Sequence, residues 1–319
     1  MNWGWLWRRL VALGAVLLLV SAVVYLLFDA LPGSTAGAII GPGATPETIR
    51  IVEDDLNLDD PLPQRYATWV SRAVQGDLGV SYRTGEVVST VIADRLPTSL
   101  ELLVLSQLVA VLLAGSAALV SVRREGGRVD RSLSTTSFVA LALPQFGFGI
   151  MLLVVFAQKL NWFPVARYTR FSDDPLANLR ALVLPVVTLS LPLSGIYYRV
   201  LRTDLLQTLR SDHITFARAM GLSERRVILR RALRPSTLTL VSVIGLNTAF
   251  LLGGAVVVER LFSHPGLGQL ITMSVQTRDI VMVQGATLAV ALVYVIINLA
   301  VDIALTWLDP RVALARSAA

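Results

Sequence analysis

The 319-residue chain has no cysteine, one lysine and two histidines. Without cysteine there are no disulfides, thiolate metal sites or thiol nucleophiles, and the redox compartment is left open. The lone lysine, Lys159, sits in Ala157-Gln158-Lys159-Leu160 with no glycine before it. A GxxxxGK[ST] loop needs a lysine to reach the β- and γ-phosphates, so no nucleotide-hydrolysing P-loop is encoded. His213 and His264 are too few for a histidine metal cluster. Charge is scarce as well, at 16% of residues, where a soluble domain carries about a quarter. The 54% of hydrophobic residues fall in long unbroken runs. A soluble globular protein and a disordered chain are both excluded.

A bilayer core of about 30 Å needs about 20 apolar residues in a helix. Six stretches meet that length, approximately Leu10–Phe28, Leu100–Val122, Leu133–Ala157, Leu182–Val200, Leu238–Val258 and Val281–Leu308. They predict an all-α membrane protein with six transmembrane helices. The first run follows Arg8-Arg9 as a signal peptide would, but it exceeds the usual apolar length of about 7–15 residues and no A-x-A site follows, so an uncleaved span is expected. Pro144, Pro185 and Pro192 fall inside spans and are expected to kink them. Arginine placement sets the orientation. Arg8 and Arg9, then Arg123, Arg124, Arg128 and Arg131, then the cluster from Arg199 to Arg234, and finally Arg311 and Arg316 fall on one side of six alternating spans. Both termini are therefore expected in the cytoplasm.

Three regions follow: 1–29 as N-terminus and first span, 30–97 as an external segment, and 98–319 as a five-helix core with a cytoplasmic loop at 203–235. Acids such as Asp54, Asp55, Asp59 and Asp60 outnumber arginines in the external segment. Asp59-Asp60-Pro61 supplies a helix start. Leu62, Tyr66, Trp69, Val70 and Ala73 then make one apolar face, which Gly76-Asp77 ends. That face suits either a helix lying in the headgroup layer or a docking surface. A second amphipathic stretch, Glu86 to Leu96, leads to Pro97 and the second span.

The cytoplasmic loop carries more than charge. Asp212 can cap a short helix through Ala219, and Gly221 stands where a left-handed C′ residue is wanted. Ser223 can cap a second helix through Leu233. The positive-inside rule accounts for the arginines but not for this capped helix–Gly–helix elbow. Nucleic acid is excluded as a partner, since aromatic interleaving is absent and the loop is tethered to a membrane.

Ala217-Arg218-Ala219-Met220-Gly221-Leu222-Ser223-Glu224-Arg225-Arg226-Val227 resembles the coupling loop of ABC-importer permeases, in the ARAKGLSERRV form of the peptide/nickel permease family. Leu56-Asn57-Leu58-Asp59-Asp60-Pro61, Gly76-Asp77-Leu78-Gly79 and Arg95-Leu96-Pro97-Thr98-Ser99-Leu100-Glu101-Leu102 are similar to the same family. So are Val258-Glu259-Arg260-Leu261-Phe262-Ser263-His264-Pro265-Gly266-Leu267-Gly268 and Leu308-Asp309-Pro310-Arg311. The likeness spans nearly the whole chain. It departs at Thr215, where the general motif has Glu, at Met220, where Lys is frequent, and near Thr239 and Pro235. The resemblance implies the first permease subunit of a di- or oligopeptide importer in the bacterial cytoplasmic membrane. It also implies a second permease subunit, two cytoplasmic ATPases holding ATP and Mg, and an extracytoplasmic peptide-binding protein, with no cofactor on this chain. Thr215, Ala217, Arg218, Ala219, Gly221, Glu224, Arg225 and Arg226 are the coupling residues it points to. Nickel or glutathione uptake by the same architecture is the alternative. A secondary transporter is more distant, because it has no use for a docking elbow.

Glu101, Asp204, Asn298 and Asp302 lie in or beside spans, where a polar group facing lipid is costly. Each is a candidate for the pathway or for bonding between helices. Ser263, His264 and Asp279 can be drawn as a hydrolytic triad, but Ser263-His264-Pro265-Gly266 reads as a turn and a triad is a matter of geometry. No catalytic or metal-binding residue is assigned.

Overall fold

A computed structural model of the chain describes residues 3–29, 45–55, 60–165 and 168–308. The expected cap at Asp59, the Leu56–Leu58 stretch and the C-terminal arginines Arg311 and Arg316 lie outside those residues. Among the described residues the structure is helical, with a single Val80–Val87 bridge in place of any sheet. In chain order the helices are α1 (Trp3–Asp29), α2 (Pro46–Asp55), α3 (Leu62–Val74), α4 (Val88–Arg123) and α5 (Arg128–Ala142). Next come α6 (Gln145–Leu152), which runs on as a π-helical segment Leu153–Lys159, α7 (Pro175–Leu209) and α8 (Asp212–Ala219). The last are α9 (Glu224–Leu261), α10 (Leu267–Thr277) and α11 (Ile280–Leu308).

Five of these, α1, α4, α7, α9 and α11, are each long and apolar enough to cross a bilayer. The expected span Leu133–Ala157 is instead a broken pair, α5 and α6, bent by 99°. Leu143 (ψ 124°) and Pro144 (ψ 118°) are both extended. The proline ring pushes the residue before it out of the helical region, and two extended residues in a row end the helix rather than kink it.

Pro97 does the opposite. In the sequence it stands between an amphipathic stretch and the second span, yet α4 runs through it without a break. The missing N–H costs one hydrogen bond, but Val88, Ile92, Thr98, Leu102 and Leu103 on both sides are buried. Packing outweighs the interior-proline cost of about 3 kcal/mol. The same holds for Pro185 and Pro192 inside α7, which is richly buried along its length.

The chain divides into two compact units, Met1–Ser99 with Pro265–Val295, and Leu100–His264 with Ile296–Ala319. In the first, Val88, Ile92, Leu267, Leu270, Val281, Met282 and Ala286 form a buried cluster. Asp279 begins α11 by accepting from the Met282 N–H at 3.2 Å and from Ser81 Oγ at 2.5 Å. That carboxylate is committed to helix capping, not to a catalytic relay. The apolar face of α3 is used on α1. The Tyr66 hydroxyl donates to the Leu18 carbonyl at 3.0 Å and meets Ser21 Oγ at 2.8 Å, while Tyr25 packs on Tyr66 and Trp69 with ring centroids 5.6 and 6.0 Å away.

In the second unit α7 is central, with α5, α6 and α9 packed around it. A Cβ at Gly195 of α7 would stand 2.9 Å from the Ser137 carbonyl oxygen of α5. Only glycine admits that approach. His264 lies edge-on to Tyr168, centroids 4.9 Å apart.

Candidate functional site

The elbow is built from the end of α7, all of α8 and the start of α9. Leu209 ends α7, and only Arg210 and Ser211 separate it from α8. Ser211, with φ −77° and ψ 155°, occupies the N-cap. This corrects the expectation for Asp212, which is the first helical residue and places its carboxylate in the positive first turn instead. Both residue types cap well, so composition alone leaves the start uncertain by one residue. The Ser211 hydroxyl turns back to the Thr208 carbonyl at 2.5 Å and to His213 Nδ1 at 2.9 Å, and makes no capping bond.

Gly221 behaves as its position demands, with φ +79°. Its N–H donates to the Arg218 carbonyl at 2.9 Å, and the Leu222 N–H donates to the Ala217 carbonyl at 3.2 Å. Those two bonds constitute a Schellman turn. Ser223 (φ −63°, ψ 145°) opens α9, whose first residues Glu224–Arg226 pass into a π-helical turn, Val227–Ala232. The second arm does not stop near Leu233 as expected. It continues through the turn into the fifth span, as one helix to Leu261. Pro235 lies just beyond the π turn and cannot donate to Arg231, which removes the i→i−4 bond at that point.

Two faces result. Ile214 and Val227 are fully buried, and Ala217 and Ile228 nearly so. Thr215 and Ala219 face outward beside Phe216 and Met220, which are 67% and 69% exposed. Arg218 and Glu224 face each other across the bend. Arg218 Nε donates to Glu224 Oε1 at 2.8 Å and Nη2 to Oε2 at 3.3 Å, while Nη1 reaches the Leu209 carbonyl at 3.4 Å. Arg225 and Arg226 are exposed, with no ion pair among the described residues. Beside the bend lies a cleft of about 360 Å³ lined by Arg123, Glu125, Arg210, Arg218 and Glu224 together with apolar side chains. Arg210 closes one wall on Glu125 at 2.6 Å.

The other polar candidates are dispersed. Glu101 accepts from Asn178 Nδ2 at 3.2 Å, and the same amide nitrogen donates to the Thr169 carbonyl at 3.0 Å. Asp204 accepts from Thr239 Oγ1 at 3.2 Å, joining α7 to α9. Asp302 is buried on α11, with Asn298 half-buried one turn earlier. None of the four converges with another into one site.

One polar cluster was not singled out from the sequence. Asp130, 3% exposed, receives a two-pronged bond from Arg202, Nε to Oδ1 and Nη2 to Oδ2, both at 2.7 Å. It also accepts from Ser121 Oγ, and from the Gly126 N–H at 2.9 Å. The Tyr198 hydroxyl joins Ser121 (2.9 Å) to Ser134 (3.1 Å). The one available signal was Asp130 itself, an acid set among Arg123, Arg124, Arg128 and Arg131.

Long apolar helices, a broken span and a capped elbow define a multi-pass membrane component of the transport-permease kind. The chain belongs to the family of binding-protein-dependent transport system inner membrane components, whose model matches residues 110–314; the N-terminal model of the same membrane components matches residues 3–103. It is thus a multi-pass protein of a bacterial inner membrane. It is 34% identical over 305 residues to a protein of Sinorhizobium fredii named as a probable peptide ABC transporter permease, covering 96% of this chain and 97% of that one. It is 33% identical to the glutathione transport system permease of Escherichia coli K12, covering 96% and 97%. Among solved structures it is similar in fold to the inward-facing methionine ABC transporter MetNI. There the TM-score is 0.54 and the identity 16%, over 69% of this chain and 96% of that chain.

Proposed function

We propose that this chain is one of two permease subunits of an ATP-driven importer of di- or oligopeptides, and that its elbow seats in a groove of a cytoplasmic ATPase. The observation that carries this reading is the outward face of α8. A solvated helix has no reason to hold Phe216 and Met220 in the open beside Thr215 and Ala219, and such a patch marks a contact surface. Arg225 and Arg226 flank it and supply charge for acidic groups on the partner. Arg218 acts differently from the sequence expectation. It is engaged with Glu224, so it holds the bend and leaves the reaching to its neighbours.

On this reading both termini and residues 203–235 are cytoplasmic, and residues 30–97 face the side from which a peptide-binding protein delivers its cargo. The ATP and Mg sites lie on the ATPases. Lys159, the single lysine, ends a π-helical segment and offers no phosphate loop. Glutathione is the second reading, because a relative named for it is nearly as similar as one named for peptides. Both are peptide-bonded acids of modest size, and one pathway could pass either.

Purification of a tagged chain from its native membrane should bring an ATPase and a second permease with it, and the complex should hydrolyse ATP when the isolated chain does not. In vesicles holding that complex, a labelled dipeptide and labelled glutathione competed against each other distinguish the cargoes. Uptake of neither, or purification without an ATPase, would overturn the proposal.

A further inference from the structure

We propose that Asp130 and Arg202 form the joint through which the elbow moves the second and third spans, which makes them positioning residues for coupling. The inference rests on the proposed function and goes beyond it. Arg202 lies two helical turns before Leu209 on α7, an unbroken helix that feeds the elbow through Arg210 and Ser211 alone. Asp130 is on the first turn of α5. Its carboxylate gathers donors from three places at once. Arg202 comes from α7, Ser121 from the last turn of α4, and the Gly126 N–H from the turn between α4 and α5. Tyr198, one turn back on α7, ties the same Ser121 to Ser134 on α5. The end of α4, the start of α5 and the body of α7 therefore meet on one buried anion.

Stability does not explain the arrangement. A buried ion pair loses in desolvation much of what it gains in attraction, and apolar residues of the same volume often hold a fold as well or better. What a two-pronged guanidinium–carboxylate bond adds is orientation, since both oxygens and both nitrogens are fixed in one plane. An apolar contact in its place allows the helix ends to slide. Any shift of the elbow transmitted along α7 must then carry α4 and α5 with it while the joint is intact, and less of it when the joint is gone. Arg210 on Glu125 repeats the link nearer the elbow, but it is solvent-exposed and correspondingly weak.

The test uses the importer assembled from this chain and the partners that copurify with it, reconstituted in vesicles, with peptide uptake and ATP hydrolysis measured together. The double variant Asp130→Asn with Arg202→Met removes both charges and nearly keeps the volume. It should insert, retain the ATPase and hydrolyse ATP, while uptake per ATP falls by about tenfold, within the range expected of residues that carry coupling. Arg202→Lys should fall between the two, because an ammonium makes a point contact where the guanidinium makes a fork. An unchanged uptake-to-hydrolysis ratio in the double variant would overturn the joint. Loss of the assembled complex would also overturn it, by showing that the pair holds the fold and not the coupling. Failure of the proposed function itself is distinguishable, since the wild-type chain would then bring no ATPase.

Discussion

Replacing Gly221 probes the elbow at its most constrained backbone position. Its φ is +79°, and no atom stands within 4 Å of the place a Cβ would take. Substitution therefore meets backbone strain alone, with no clash to confuse the result. The left-handed region costs an ordinary L-residue about 1–2 kcal/mol, less for asparagine and about 1–3 kcal/mol for a β-branched residue. The Arg218–Glu224 pair opposes that strain, but its side chains are 42% and 63% exposed, and exposed pairs contribute about 0.2–1 kcal/mol. The pair cannot offset a valine. A loss of about 2 kcal/mol lowers the ratio of formed to unformed elbow roughly 30-fold. Peptide uptake, and the ATPase retained on a tagged chain, should fall in the order Gly221, Gly221→Asn, Gly221→Ala, Gly221→Val. All three variants should insert normally, because the residue is exposed and lies outside the spans. Wild-type uptake by Gly221→Val with the ATPase still bound would refute the reasoning, leaving the loop a charged tether whose shape carries nothing.

Three further outcomes follow from the same residues. A cysteine at Thr68 should react with an impermeant maleimide from outside and one at Ser223 only after permeabilisation, and the reverse would invert the proposed orientation. Gly195→Ala would put a methyl 2.9 Å from the Ser137 carbonyl oxygen, so the purified chain should lose about 1–3 kcal/mol of stability; an unchanged melting temperature would deny the close approach of α5 and α7. Arg225→Glu with Arg226→Glu should release the ATPase far more than Arg218→Ala does, because the Arg218 guanidinium is already engaged within the bend, and the opposite ranking would reassign the docking charge.

The sequence was most informative where one residue decides one conformation. Gly221 at the end of a periodic segment announced a left-handed C′ position, and the Schellman bonds stand there. Apolar run length found five of the six expected spans as single helices, because a bilayer sets a length that no soluble helix must match. Proline was a poorer guide. Pro144 and Pro97 carry the same local chemistry, yet one ends a helix and the other is swallowed by it, and the difference is the packing on either side. The pairing of Asp130 with Arg202 was out of reach altogether. Charge counting assigns Arg202 to the positive-inside excess, and only the approach of α5 to α7 supplies it with an acid. Arg218 shows the same limit over six residues. The motif marks it for a partner, whereas the turn brings Glu224 within 2.8 Å first.

The two arms of the elbow are not joined to the membrane alike, and that asymmetry bears on how a push from below would travel. The arm formed by α8 meets α7 through two residues, and α8 holds Ile214 fully buried. The arm formed by the start of α9 continues into the fifth span through the π turn Val227–Ala232, just before Pro235. A π turn lacks the regular i→i−4 ladder, and proline removes one more bond from it. On the proposed reading, the proline-free last turns of α7, from Arg202 to Leu209, are thus the stiff route out of the elbow and α9 the compliant one, with Pro185 and Pro192 lying beyond the joint. The buried Asp130–Arg202 bonds lie on the stiff route, within two turns of the bend. Tight bonding is useful only where motion arrives undamped. The same bonds placed on α9, beyond the π turn, would fix helix ends that the elbow scarcely moves.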